Sequence, residues 1–181
     1  MPGVRSFAVI ALATGLAAMG AESAGAAAIV DGRARFEVIT PSLVRLEYAA
    51  DRRFEDRRTL TTGGRMRTQP RFETSVARGE RVIRTSRLTL RWRRRSGPFG
   101  DDNLRVSIGA GRALRPRPGP NPAPLGGWRR SLDIVDGPVR LHEGMLSRAG
   151  WYLLDDSETA LLTRAGFDVR PERSGRYQDL Y

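Results

Sequence analysis

Apolar and polar residues alternate one by one from Arg35 onward, in short runs broken by glycine, proline or serine. In "RFEVIT" (35–40), Phe36 and Val38 share one face, while Glu37 and Ile39 share the other. After Pro41-Ser42, "LVRLEYA" (43–49) sets Val44, Leu46 and Tyr48 against Arg45 and Glu47. Successive strand residues point to opposite sides, so a period of two is the mark of a half-buried strand. "RFETSVARGERVIRTSRLTLRWRR" (71–94) reads as several such strands, turning at Ala77-Arg78-Gly79-Glu80 and again near Thr85-Ser86. In its last run Leu88, Leu90 and Trp92 share a face, and Thr89 and Arg91 share the other.

The charged stretch "DRRFEDRRT" (51–59) reads as a loop, and "LRVSIG" (104–109) as another strand. Residues 110–127 hold five prolines, which removes ladder donors and implies a long open connection. Shorter runs follow at "SLDIV", "PVRL", "GWYLLD", "TALLTR" and "FDV". Many short strands with Gly/Pro turns, and at most one short helix, predict an all-β fold, an antiparallel β-sandwich. The stretch "GWYLLDDSETALL" (150–162) reads as a hairpin. Trp151–Leu154 forms one strand, Asp155–Thr159 the turn, and Ala160–Leu162 the return.

Residues 1–28 carry a different pattern. Arg5 precedes an apolar run from Phe7 to Met19, and "ESAGAAA" offers Ala-x-Ala sites at Ala24–Ala26 and Ala26–Ala28. That order is a secretory signal peptide, with a retained anchor as the alternative. The expectation is an exported protein, periplasmic or extracellular, with the β-sandwich domain over 29–181 and no membrane contact after processing. The domain is long enough for a real core. With no cysteine and one histidine, His142, neither disulfides nor a structural zinc site is expected.

The net charge is +11, and every basic residue is arginine. Phosphate-binding proteins commonly use lysine as well, so an all-arginine chain points to coding bias rather than to a nucleic-acid surface. "RWRRR" (91–95) is the strongest basic motif, because guanidinium planes beside an aromatic bind phosphates or stack on bases. The competing reading is an edge strand whose charges block edge-to-edge pairing. No nucleic-acid partner is expected.

Asp155 and Asp156 invite an acid/base reading. Retaining glycosidases need two carboxyls about 5–5.5 Å apart across a sugar. Adjacent strand residues point apart, so this pair fails as a self-contained dyad. In a bend, Asp155, Asp156 and Ser157 would instead accept turn N–H groups, with Asp156→Ala costing about 1 kcal/mol.

The ordered motifs Leu125-Gly126-Gly127, Arg130-Ser131-Leu132-Asp133, Asp136-Gly137-Pro138 and Asp155-Asp156-Ser157 carry a resemblance. With "ITPSLVRLEYAADRRFEDRRT" (39–59) and "RYQDLY" (176–181), they resemble the N-terminal region of glycoside hydrolase family 31, the α-glucosidase and α-xylosidase group. The likeness spans about residues 35–181, with Ala149 in "LSRAGW" standing where that family usually has Asp.

The resemblance implies a galactose-mutarotase-like sandwich packed beside a catalytic (β/α)₈ barrel, which supplies the catalytic aspartates. Such a barrel takes about 250 residues and would begin where this chain stops, so the chain reads as a truncated or split product. The implied chemistry is retaining hydrolysis of α-glucosides or α-xylosides without a cofactor. The sandwich itself would be non-catalytic, with Trp151, Asp155 and Asp156 as substrate contacts. A free-standing carbohydrate-binding module is the alternative, with Trp128, Trp151 and Tyr152 stacking on sugars and Asp155, Asp156 and arginines bonding hydroxyls. Core or domain-interface packing is the plainer reading of those aromatics. A basic nucleic-acid-binding domain ranks last.

Overall fold

The computed structural model describes residues 28–62, 70–109, 113–114, 123–127, 129, 131–142 and 146–181. The signal-peptide expectation for 1–28 therefore lies outside the described residues, apart from Ala28, as does Trp128. Among the described residues there are eleven strands and no helix, and all strand pairing is antiparallel.

One sheet has the order β1-β2-β3-β11, built from β1 (Ile29–Asp31), β2 (Ala34–Thr40), β3 (Leu43–Ala49) and β11 (Tyr177–Leu180). The second runs β4-β5-β6-β7-β8. Its members are β4 (Glu73–Ala77), β5 (Glu80–Arg84), β6 (Leu88–Arg93), β7 (Leu104–Ile108) and β8 (Ala113–Leu114). A two-stranded ribbon joins β9 (Leu161–Thr163) to β10 (Gly166–Asp168). The turns fall where the sequence places them. Arg78 and Gly79 link β4 to β5 with φ of +51° and +78°, the left-handed pair of a tight hairpin.

The two larger sheets share one core, an arrangement consistent with the expected β-sandwich. Ala34, Phe36 and Val38 of β2, and Val44, Leu46 and Tyr48 of β3, meet Ile83, Leu90, Trp92 and Leu104 of the opposite sheet. Phe99 enters from the β6–β7 connection and sits among Phe36, Trp92 and Tyr48 at centroid distances of 5.7, 5.8 and 6.5 Å. Tilted and edge-on aromatic pairs of this kind add about 0.5–1.5 kcal/mol each beyond their burial.

Three expectations are corrected here. First, β2 and β3 are not half-buried: Arg35, Arg45 and Glu47 on the face away from the core are buried as well. Second, "RWRRR" does not form an edge strand. Its first part belongs to β6, the central strand of the five-stranded sheet, where Arg91 lies 3.6 Å from Glu80. Third, 150–162 is not a hairpin. Leu154 pairs with Tyr181 through two backbone bonds of 2.9 Å, and Leu161 joins β10 instead.

The "SLDIV" and "PVRL" runs also form no strand. Ser131 Oγ accepts from the Asp133 backbone N–H at 3.0 Å and lies 2.6 Å from the Asp133 carboxylate. Local bonds of this type compete with a sheet ladder. They leave Leu132 and Ile134 exposed.

Candidate functional site

The hairpin register decides what the outer face of the first sheet contains. Arg35 stands opposite Glu47, and Glu47 in turn stands opposite Asp179 of β11. Two acids directly opposed on neighbouring strands repel each other, so the row is stable only with cations inserted beside it. Arg45 supplies one, donating to Asp179 through Nε at 2.7 Å and Nη2 at 2.8 Å. Arg35 Nε donates to Glu47 at 2.8 Å. Arg170 Nη2 reaches Asp179 at 3.1 Å, and the Tyr177 hydroxyl donates to Glu47 at 2.7 Å.

The charged loop 51–59 covers this row. The Glu55 carbonyl accepts from Arg35 and Arg45, each at 2.8 Å, and its N–H donates to Glu47 at 2.6 Å. The Glu55 side chain receives Nε and Nη2 of Arg57 at 2.8 and 2.9 Å. Burial raises the Glu55 pKa, but the Arg57 hydrogen bonds and charge outweigh it and hold the carboxyl below its ordinary value. Tyr177 is shifted the other way: burial, then the Asp179 and Glu47 charges, push its phenol far up and keep it protonated. Arg173 stacks on its ring at 4.3 Å.

Asp156 belongs to this network and Asp155 does not. Asp156 is fully buried; Thr59 Oγ1 donates to its carboxylate at 2.6 Å, and Arg170 stands 3.7 Å away. Its backbone N–H donates to the Asp179 carbonyl at 2.8 Å, and its carbonyl accepts from Arg170 at 2.7 Å. Asp155 is exposed and accepts from the Ser157 N–H at 3.1 Å, the turn bond expected of it. Ser157 Oγ then accepts from the Asp179 N–H at 3.0 Å, tying the bend to β11. The side chain of Asp156 thus holds loop 51–59, 97 residues away in sequence, rather than its own turn.

Chemically, the buried row is a clamp. Glu47, Asp156 and Asp179 are each fully buried; Glu47 and Asp179 are held by arginine, hydroxyl and backbone donors, and Asp156 is held through Oδ2 by Thr59. Among the described residues no cluster of three or more His, Cys, Asp or Glu is arranged to hold a metal ion.

Two concavities border the clamp. An open polar cleft of about 600 Å³ lies along β11, lined by Asp155, Ser157, Glu158, Thr159, Tyr177 and Gln178. The Gln178 amide is itself bonded to the Phe99 backbone, at 2.7 and 3.2 Å. A smaller apolar groove of about 110 Å³ opens between the sheets and is lined by Trp151, Tyr152, Leu153 and Tyr181 with residues of β3, β6 and β7. The three sequence candidates are therefore separated: Trp151 lines the groove, Asp155 lines the cleft, and Asp156 is interior.

Sequence reasoning passed over Arg35, Asp179 and Arg170. A signal was present in the complementary "RFE" (35–37) and "RLE" (45–47), which align Arg35 with Glu47 and Glu37 with Arg45 once the strands fold back at Pro41-Ser42. No family model and no curated protein matches the chain.

Proposed function

We propose that this chain is the β-sandwich domain of a glycoside hydrolase of the family 31 kind, following an export segment, and that it supports a catalytic barrel and contacts α-glucosides or α-xylosides without performing the chemistry. The observation that carries the reading is the polar cleft beside the Asp155-Asp156-Ser157 bend. One stretch of the resembling motif set provides both the buried anchor, Asp156, and the cleft-lining groups Asp155 and Ser157. Exposed carboxylates and hydroxyls beside an aromatic edge suit sugar hydroxyls, which both donate and accept.

Calorimetric titration of the full chain with maltotriose and with an α-xyloside tests this. Binding is expected, weakened about tenfold by Asp155→Ala or Glu158→Ala, the scale of one hydrogen bond to a charged group. Absence of binding at millimolar sugar would overturn the carbohydrate role. Release of product from an aryl α-glucoside by the purified chain would overturn the non-catalytic one.

The aromatic groove favours a second reading, a free-standing carbohydrate-binding module that stacks sugar on Trp151 and Tyr152. Loss of binding in Trp151→Ala and Tyr152→Ala, with Asp155→Ala and Glu158→Ala unaffected, would select it.

A further inference from the structure

A third concavity differs from the Asp155 cleft in chemistry: its lining is rich in donors and poor in acceptors. It measures about 420 Å³ and is walled by the β1–β2 turn, the start of loop 51–59 and the segment after β6. Among the described residues its one carboxylate, Asp31, is already taken. Arg94 Nε donates to Asp31 Oδ2 at 2.7 Å, and Arg81 reaches the same oxygen at 3.2 Å. Arg33, Arg52 and Arg95 also line the cavity, and among the described residues none of the three has a side-chain hydrogen bond or an ion pair.

Trp92 forms part of the interior wall. Trp92 is 1% exposed, and its indole N–H has no acceptor. Leaving a buried donor unmade is costly, and such groups call for an explanation. The backbone is unusual here too. Arg52 and Arg95 hold φ of +61° and +60°, a conformation that disfavours any residue with a Cβ. Among the described residues, two of the four non-glycine residues in that conformation are thus arginines of this one cavity. The "RWRRR" motif supplies Trp92, Arg94 and Arg95 together.

We infer that this cavity is a binding site for a small oxyanion, a carboxylate or phosphate group, held by Arg33, Arg52 and Arg95 against a wall that includes Trp92. Guanidinium forks match the planar carboxylate and the phosphate oxygens, forming short charge-assisted bonds. Arg94 is a positioning residue, since its bond to Asp31 neutralises the one acid that would repel the ligand. The oxyanion arrives either as free phosphate or as part of an acidic sugar.

The test is titration of the full chain, at constant ionic strength, with inorganic phosphate, glucuronate and neutral glucose. Binding is followed by calorimetry and by the Trp92 indole ¹H–¹⁵N resonance, identified by its loss in Trp92→Phe. Phosphate or glucuronate, but not glucose, is expected to shift that resonance with saturation. Phosphate alone identifies free phosphate as the source, and glucuronate alone identifies a sugar acid.

Arg52→Gly and Arg95→Gly make the sharpest variants, because glycine accepts the left-handed backbone while removing the guanidinium. Each is expected to weaken binding about tenfold or more, with a melting temperature equal to or above that of the parent chain. A response matched by sodium chloride would overturn the inference, as would one unchanged in the Arg52→Gly/Arg95→Gly double variant. An indole resonance unmoved by either anion would overturn it as well.

Discussion

Replacing Asp179 by alanine should reveal how much of the fold depends on the buried clamp. Asp179 accepts two bonds from Arg45, at 2.7 and 2.8 Å, and one from Arg170 at 3.1 Å. Arg45 is 1% exposed, so without Asp179 its charge cannot turn to water. Its remaining carboxylates, Glu37 and Glu47, stand at 3.6 and 3.8 Å, too far for good hydrogen bonds. Breaking a buried pair from one side costs about 3–5 kcal/mol. Relief of the Glu47–Asp179 repulsion places the value near the lower end, about 3 kcal/mol. For a domain of this size each kcal/mol lowers the melting temperature by roughly 2–4 °C, giving a fall of roughly 6–12 °C.

Thermal melts and urea titrations followed by circular dichroism measure the change. The partner variant Arg45→Met/Asp179→Leu should regain more than half of the loss, because replacing both charges with apolar groups removes the unpaired ion. A melt of Asp179→Ala within about 2 °C of wild type, where a 3 kcal/mol loss predicts far more, would refute the reasoning. It would mean that water solvates Arg45 in the folded protein.

Asp156→Ala should cost about 1–3 kcal/mol, more than the turn bond alone would suggest, because it strips the acceptor from buried Thr59; Asp155→Ala should stay within about 0.5 kcal/mol, both read from urea midpoints. On acidification, burial raises the Asp31 pKa but the Arg94 bond and the Arg81 and Arg94 charges outweigh it, so the carboxyl lies below its ordinary value, as does that of Glu55. Their stabilisation is present above the usual carboxylate range and is lost as pH falls through the lowered values; urea midpoints should drop in that window, and less steeply in Arg94→Ala. Tyr177 has a raised folded pKa, so its contribution is complete below about pH 10, the ordinary phenol value, and declines above it; Tyr177→Phe should flatten that alkaline loss in a melting-temperature series.

The sequence by itself determined the strands over 35–49 and 71–109 and one of their faces. Alternation placed Phe36, Val38, Val44, Leu46, Leu90 and Trp92 in the core, and the Arg78-Gly79 turn was legible because few residue pairs adopt its left-handed backbone. The resemblance to family 31 rests on ordered motifs and stands as a proposal.

What tertiary structure alone decided is the fate of the charged faces. A period of two says that Arg45 and Glu47 leave the core, but not that loop 51–59 and the segment from Asp156 to Arg173 cover them. That covering depends on pairing partners far apart in the chain: Arg45 with Asp179 is 134 residues distant, and Thr59 with Asp156 is 97. The same limit applies to the aspartate pair. Adjacent residues with one side-chain chemistry became an exposed turn acceptor and a buried anchor, because the side chain of Asp156 alone meets Thr59 and Arg170. Local pattern fixes direction along a strand; only the neighbouring strand fixes whether water waits on the other side.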